Sequence, residues 1–145
     1  MMRWAREEEV KNEYSRYTTF CSIRPGCCVE VEGFIPHACK LFAINLGKDS
    51  KNYVIHFSAR FDDHGDKSTI VLNTRKDGAW GAEQKENFFP FQEGSDTKVS
   101  FTFQPGRISI QLPFGNPLSF PVRLPIEQIS FVSVKHLQLK SIIVK

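Results

Sequence analysis

The sequence predicts an all-β domain, an antiparallel sandwich or barrel built from short strands. No stretch of ten or more residues carries a helical apolar period, and turn signals recur at roughly 8–12 residue intervals from Pro25-Gly26 onward. Phenylalanine is the compositional anomaly: most of the 13 residues alternate with polar neighbours, which suits half-buried strands better than helices. At 145 residues, 41% hydrophobic and 24% charged, the chain is long enough to bury one core without staples.

The elements follow in order. In residues 1–16, Met1, Met2, Trp4 and Val10 are scattered among Arg3, Arg6, Lys11 and Arg16 and the balancing Glu7, Glu8, Glu9 and Glu13. That apolar stripe is too thin to dock a helix firmly, so 1–16 reads as a charged extension, frayed, disordered or a short helix, ahead of a domain over 17–145. Cys27 to Glu32 alternates after the Pro25-Gly26 turn, and Leu41 to Leu46 precedes a turn over Gly47-Lys48-Asp49-Ser50. Tyr53 to Phe61 and Thr69 to Asn73 are joined by the loop Asp62-Asp63-His64-Gly65-Asp66. Beyond the Lys76-Asp77-Gly78 turn lie Trp80 and a strand through Glu83 and Lys85. Gln84 and Glu86 fall on the face of that strand that should be buried, which requires it to be short or at an edge.

Val99, Phe101 and Phe103 then alternate up to the Pro105-Gly106 turn, followed by Ile108, Ile110 and Leu112, and by Leu118-Ser119-Phe120 after Gly115-Asn116-Pro117. The last strand runs from His136 to Lys145. By strict alternation it is apolar on both sides, with Leu137, Leu139 and Ile143 on one and Ile142 and Val144 on the other. Cover must come from the N-terminal segment or from a second subunit, and a homodimer is the expectation.

Composition excludes several functions. The net charge of +3 is well mixed, and no basic run interleaves with aromatics, so nucleic acid is not an expected partner. Residues 1–17 are charged throughout with no apolar signal region, and no apolar run approaches a membrane span. Cytosolic synthesis without membrane insertion is the expectation, and any action outside cells implies non-classical export. Cys21, Cys27, Cys28 and Cys39 form no C-x-x-C pair, so they read as free thiols in a reducing compartment rather than a zinc site or disulfide framework. Cys28 faces away from Val29 and Val31, which points it toward solvent. Asp62, Asp63 and Asp66 lack calcium-loop spacing, and His37, His64 and His136 lack metal-ligand spacing. Neither a metal nor a cofactor is expected. Nor is an enzyme, because no nucleophile, paired carboxylate or phosphate loop accompanies His56 and Glu83.

One strand has two chemically different faces. Ile55, Phe57, Ala59 and Phe61 line its core side, while His56, Ser58 and Arg60 place an imidazole, a hydroxyl and a guanidinium in a row on the other. Asn73, Trp80, Glu83 and Lys85 add an amide, an aromatic plate, a carboxylate and an ammonium. Such a set suits a hexopyranose, which presents hydroxyls on one side and a C–H patch on another. Galactose, with its axial 4-hydroxyl, keeps a continuous C–H face that can lie on an indole. Its desolvated hydroxyls need directional partners, since each left unpaired costs ~1–3 kcal/mol.

His56-x-Ser58-x-Arg60, Val71-x-Asn73 and Trp80-Gly81-x-Glu83-x-Lys85, at these separations, resemble the galectin signature of a single-domain, prototype member. Leu46-Gly47-Lys48-Asp49-Ser50, His64-Gly65-Asp66, Phe89-Pro90-Phe91-Gln92 and Phe120-Pro121-x-Arg123 extend the resemblance from about Pro25 to the C-terminus. The resemblance implies a two-sheet jelly-roll sandwich that binds β-galactosides such as lactose and N-acetyllactosamine on glycoproteins or glycolipids, without a metal.

By position, the resemblance implies that His56 and Arg60 contact the galactose 4-hydroxyl and that Asn73 and Glu83 contact the 6-hydroxyl. Trp80 would stack on the ring, Lys85 would reach the second sugar, and Ser58 would complete the site. Glu83 would brace Arg60, Asp66 would steady the Arg60 guanidinium, and His64 and Val71 would border or support the groove. Ser58 stands where the family has asparagine, Ala59 where proline is usual and Lys85 where it has arginine. Weaker or altered sugar preference is the expectation. The competing reading keeps the fold as a structural or protein-interaction module with sugar binding lost.

Overall fold

The computed structural model of the chain describes residues 2–3, 8–11 and 14–145. Every regular element among them is a strand: β1 (Met2–Arg3), β2 (Glu8–Lys11), β3 (Tyr14–Ile23), β4 (Cys28–Phe34), β5 (Leu41–Asp49), β6 (Asn52–Asp63) and β7 (Asp66–Lys76) in the first half. The second half holds β8 (Ala79–Trp80), β9 (Gln84–Glu86), β10 (Asp96–Gln104), β11 (Arg107–Gln111), β12 (Leu118–Pro121), β13 (Ile129–Lys135) and β14 (Gln138–Val144). They form two antiparallel sheets, one ordered β1-β14-β4-β10-β11-β12 and the other β2-β3-β13-β5-β6-β7-β8, with β9 also paired to β7. The non-sequential order of the antiparallel strands is that of a jelly-roll sandwich.

Alternation explains the core. Val29, Val31, Val99, Phe101, Ile108, Ile110 and Phe120 project from one sheet onto Phe42, Ile44, Leu46, Phe57, Ala59, Ile70 and Leu72 of the other, and all are fully buried. Phe57 meets Phe101 across the layers edge-to-face, with centroids 5.8 Å apart at 89°, and Phe42 meets Phe91 likewise at 5.1 Å. Each such pair adds about 0.5–1.5 kcal/mol beyond simple burial. This packing fixes the outer faces, because period two sends every other residue outward.

Four sequence expectations change. Where a short helix was one reading of 1–16, Met2–Arg3 and Glu8–Lys11 are strands, and the rest of residues 1–13 lies outside the described residues. Backbone pairing accounts for this: Glu8–Lys11 forms a ladder with residues 14–17, and Met2 and Arg3 pair with Val144 and Ile143. The edge of the last strand is therefore covered by the N-terminal segment. Its two-sided apolarity disappears as well. Register shifts between Leu139 and Ser141, so Leu139 lies opposite Gly33 while Ile142 and Val144 lie opposite Val31 and Val29. One bulged residue reverses the phase and turns both halves of the strand toward the core.

The turn expected at Gly47 to Ser50 sits later, since β5 continues through Asp49. A Cβ at Gly47 would lie 2.1 Å from the Asn52 carbonyl oxygen, so only glycine lets the two strands pass this closely. Finally, Cys28 is half-buried rather than open to solvent. Cys27, Cys28 and Cys39 carry free thiols, and burial pushes Cys39 up to about 11, which makes it a poor nucleophile.

Candidate carbohydrate-binding site

The outer face of the larger sheet carries the polar residues in registered rows. Asn45 of β5 lies opposite His56 of β6, which lies opposite Asn73 of β7. In the adjacent row stand Lys135, Ala43, Ser58, Val71 and Lys85, and beyond it Leu41, Arg60 and Thr69. At about 4.8 Å between strands, three neighbours span about 10 Å, the scale of one pyranose with its hydroxyls. A groove of about 550 Å³ runs over these rows, lined by His56, Ser58, Arg60, Asn73, Trp80 and Glu83 among others.

Trp80 forms the wall. Its indole is 49% exposed, which settles the choice between core and groove for this residue, and its centroid lies 4.6 Å from the His56 ring. The Arg75 guanidinium carbon lies 5.1 Å from the indole centroid, and Arg75 also donates to the backbone oxygens of Gly78 and Ser50. This braces the two-residue strand β8 from its own hairpin turn.

The floor is an ion-pair chain. Arg60 donates through Nη1 to Asp66 Oδ2 at 2.8 Å, through Nε to Ser58 Oγ at 3.4 Å, and pairs through Nη2 with Glu83 Oε2 at 3.6 Å. Lys85 Nζ reaches Asp66 Oδ1 at 2.9 Å and Glu83 Oε1 at 3.9 Å. Hydrogen bonds from Lys85 and then Arg60 hold the Asp66 carboxyl below the usual carboxylate range. The chain alternates in charge as Lys85, Asp66, Arg60, Glu83, with Glu83 open to the groove. Asp63 instead pairs with His64 Nδ1 at 2.5 Å. The Asp66 carboxylate thus faces two cations of the chain itself and Asp63 faces an imidazole, and no group of potential metal ligands occurs among the described residues.

His56 is strongly perturbed. Burial first, then the charges of Arg60, Lys135, Arg75 and His64, push its pKa down to about 4. Its Nδ1 lies 2.5 Å from Asn45 Oδ1. With the amide oxygen of Asn45 facing the ring, Nδ1 carries the proton and Nε2 is left as an acceptor. Asn73 is similarly oriented: Oδ1 accepts from Thr74 N–H at 2.7 Å, and Nδ2 donates to Gly81 O at 2.9 Å. One Nδ2 hydrogen remains.

The structure brings His56, Ser58, Arg60, Asn73, Trp80, Glu83, Lys85, His64 and Asp66 to one side of one sheet. Val71, expected to border or support the groove, lies beneath it. It is fully buried between Ser58 and Lys85, a supporting position. Gln84 is accommodated as its position required, since β9 is three residues long and Gln84 Nε2 donates to Glu86 Oε1 and Ser119 O.

Asn45 and Tyr53 were missed. Asn45 was legible as a lone amide alternating within apolar Phe42-x-Ile44-x-Leu46. Tyr53 was not, because a register shift between Tyr53 and His56 puts both on the groove side, where their rings stack 6.4 Å apart.

The profile of the galactoside-binding lectin family matches residues 14–144. This chain belongs to that family, the galectins. Its curated relatives include Galectin-1 of Rhinella arenarum, 48% identical over 124 residues that cover 86% of this chain and 92% of the relative. Among solved structures, the toad ovary galectin in complex with thio-digalactose superposes with a TM-score of 0.88 at 44% identity, covering 90% of this chain and 98% of that one. CG-16, a homodimeric agglutinin from chicken liver, gives a TM-score of 0.86 at 35% identity, covering 90% and 99%. The galectin fold and family are thus shown for this chain, and the β-galactoside-binding lectin function goes with them.

Proposed function

We propose that this galectin binds β-galactosides of the lactose and N-acetyllactosamine type in the groove beside Trp80. The observation that carries the reading is the half-exposed indole standing over a registered row of His56 and Asn73, beside the Arg60–Glu83 pair. The C–H face of galactose lies on Trp80. His56 Nε2 accepts from the axial 4-hydroxyl while Arg60 donates to it, and the 6-hydroxyl accepts from Asn73 and donates to Glu83. Lys85 reaches the second sugar. As in a lectin, the sugar leaves unchanged. Retention on immobilised lactose, with elution by lactose but not by sucrose, is expected. Passage straight through the column would leave the fold serving protein contacts instead.

Two subunits would turn modest affinity per site into crosslinking of glycoproteins through avidity, as the homodimeric state of the chicken liver agglutinin suggests. The free thiols fit synthesis in a reducing compartment. Action on cell-surface glycans would then need export by a non-classical route.

Ser58 is the weak point of the site. The residue is 2% exposed and its hydroxyl accepts from Arg60 Nε, so it offers the sugar little that is direct. Ser58→Asn adds an amide able to reach the ring, and one gained hydrogen bond of ~0.5–1.5 kcal/mol corresponds to roughly two- to twelvefold tighter lactose binding. Calorimetry that finds no gain would clear the serine of responsibility.

A further inference from the structure

We infer that Arg123 is a positioning residue for the sugar site, reaching from the opposite sheet to set the peptide that presents Glu83 and the amide of Asn73. The inference rests on the reading that those two side chains hold the 6-hydroxyl. Arg123 lies two residues beyond β12, the edge strand of the smaller sheet. Its guanidinium carbon stands 4.8 Å from the centroid of the fully buried Phe120 ring, which aims the side chain across the edge of the sandwich.

There Nη1 donates to the Ala82 carbonyl oxygen at 2.6 Å, a short charge-assisted bond. The same nitrogen lies 3.5 Å from Asn73 Oδ1. The Ala82 carbonyl and the Glu83 N–H belong to one rigid peptide plane, so holding one orients the other. Between β8 and β9 the sheet holds Gly81 through its N–H to the Thr74 carbonyl oxygen at 3.0 Å, and the Arg123 contact anchors a later peptide, at Ala82. At Asn73, Oδ1 takes Thr74 N–H and the Arg123 cation together, which fixes the amide with Nδ2 outward. Gly81 leaves the room this requires: a Cβ there would sit 3.3 Å from Asn73 Oδ1 and 3.5 Å from Arg123 Nη1.

Arg123 touches no sugar in this arrangement, so its effect must appear selectively at the hydroxyl that Asn73 and Glu83 serve. The test is calorimetry of wild type, Arg123→Ala and Arg123→Lys with lactose and with lactose lacking the galactose 6-hydroxyl, beside thermal melts. Wild type is expected to prefer lactose. Arg123→Ala should lose about five- to tenfold for lactose and less than twofold for the 6-deoxy sugar, with Arg123→Lys between, since an ammonium keeps the charge and N–H donors but not the planar group that lies over Phe120. If wild type itself ignores the 6-hydroxyl, the site assignment fails. If wild type discriminates but both variants keep lactose affinity, or lose affinity equally for the two sugars, the positioning role is wrong. Should Arg123→Ala melt early, the lysine variant alone decides between these outcomes.

Discussion

Arg60→Ala is expected to abolish measurable lactose binding while leaving the protein folded. The guanidinium is buried and links Ser58, Asp66 and Glu83 through three separate nitrogens. Without it, Glu83 keeps only Lys85 at 3.9 Å, and Asp66 keeps only Lys85 at 2.9 Å. Two carboxylates then repel across the groove, and in the proposed pose the 4-hydroxyl loses its donor. Removing one partner from a well-buried charge pair costs about 3–5 kcal/mol. Solvent reaches Glu83, so roughly 2–4 kcal/mol is the fairer range, corresponding to about 30- to 1000-fold in affinity.

Arg60→Lys separates charge from geometry. An ammonium keeps the net charge but cannot address Asp66 and Glu83 with a planar fork, so a loss of about tenfold is expected even there. Calorimetry with lactose reads both variants, and circular dichroism reports whether each is folded. An Arg60→Ala protein that binds lactose within twofold of wild type would remove the ion-pair chain from the binding account altogether.

The parts of this site legible in the sequence are those governed by period two. His56, Ser58 and Arg60 share a face because they alternate with Ile55, Phe57 and Ala59. The short loop after Asp63 folds β7 straight back, so Asn73 had to land near them. The parts that escaped depend on breaks in the period or on long reach. A ladder that slips by one residue between Tyr53 and His56, and another between Leu139 and Ser141, leave no mark in alternation, because the extra residue looks like any other. The first slip hid Tyr53. The second made the last strand look apolar on both faces and created a need for cover that the fold does not have. Arg123 was visible as part of a motif, but its grip on the Ala82 carbonyl comes from the other sheet, which only the packed sandwich brings close.

Sugar binding should stay level as pH falls from about 8 to about 5 and fade below about 4, where His56 takes up its proton. In the proposed pose only the neutral ring offers Nε2 as an acceptor for the 4-hydroxyl. A histidine at the ordinary value of 6.5 would have lost half of that capacity well before pH 5. The depressed value also makes a stability prediction with a definite sign. Between 6.5, where the unfolded chain takes up the proton, and about 4, where the folded one does, acid favours unfolding, and below about 4 the loss levels off. A span of this width corresponds to roughly 3–3.5 kcal/mol at most.

Asn45→Asp is the decisive variant, because it places a carboxylate against the Nδ1 proton at the position of the present 2.5 Å contact. An anion there favours the imidazolium, so the acid limb of lactose binding should move up toward neutrality. It should carry the His56 proton resonance midpoint with it. Coincident movement of the two midpoints ties binding to the lone pair on Nε2. If the resonance shifts and the binding profile does not, the 4-hydroxyl draws its acceptor from another group, and His56 serves the groove by shape alone.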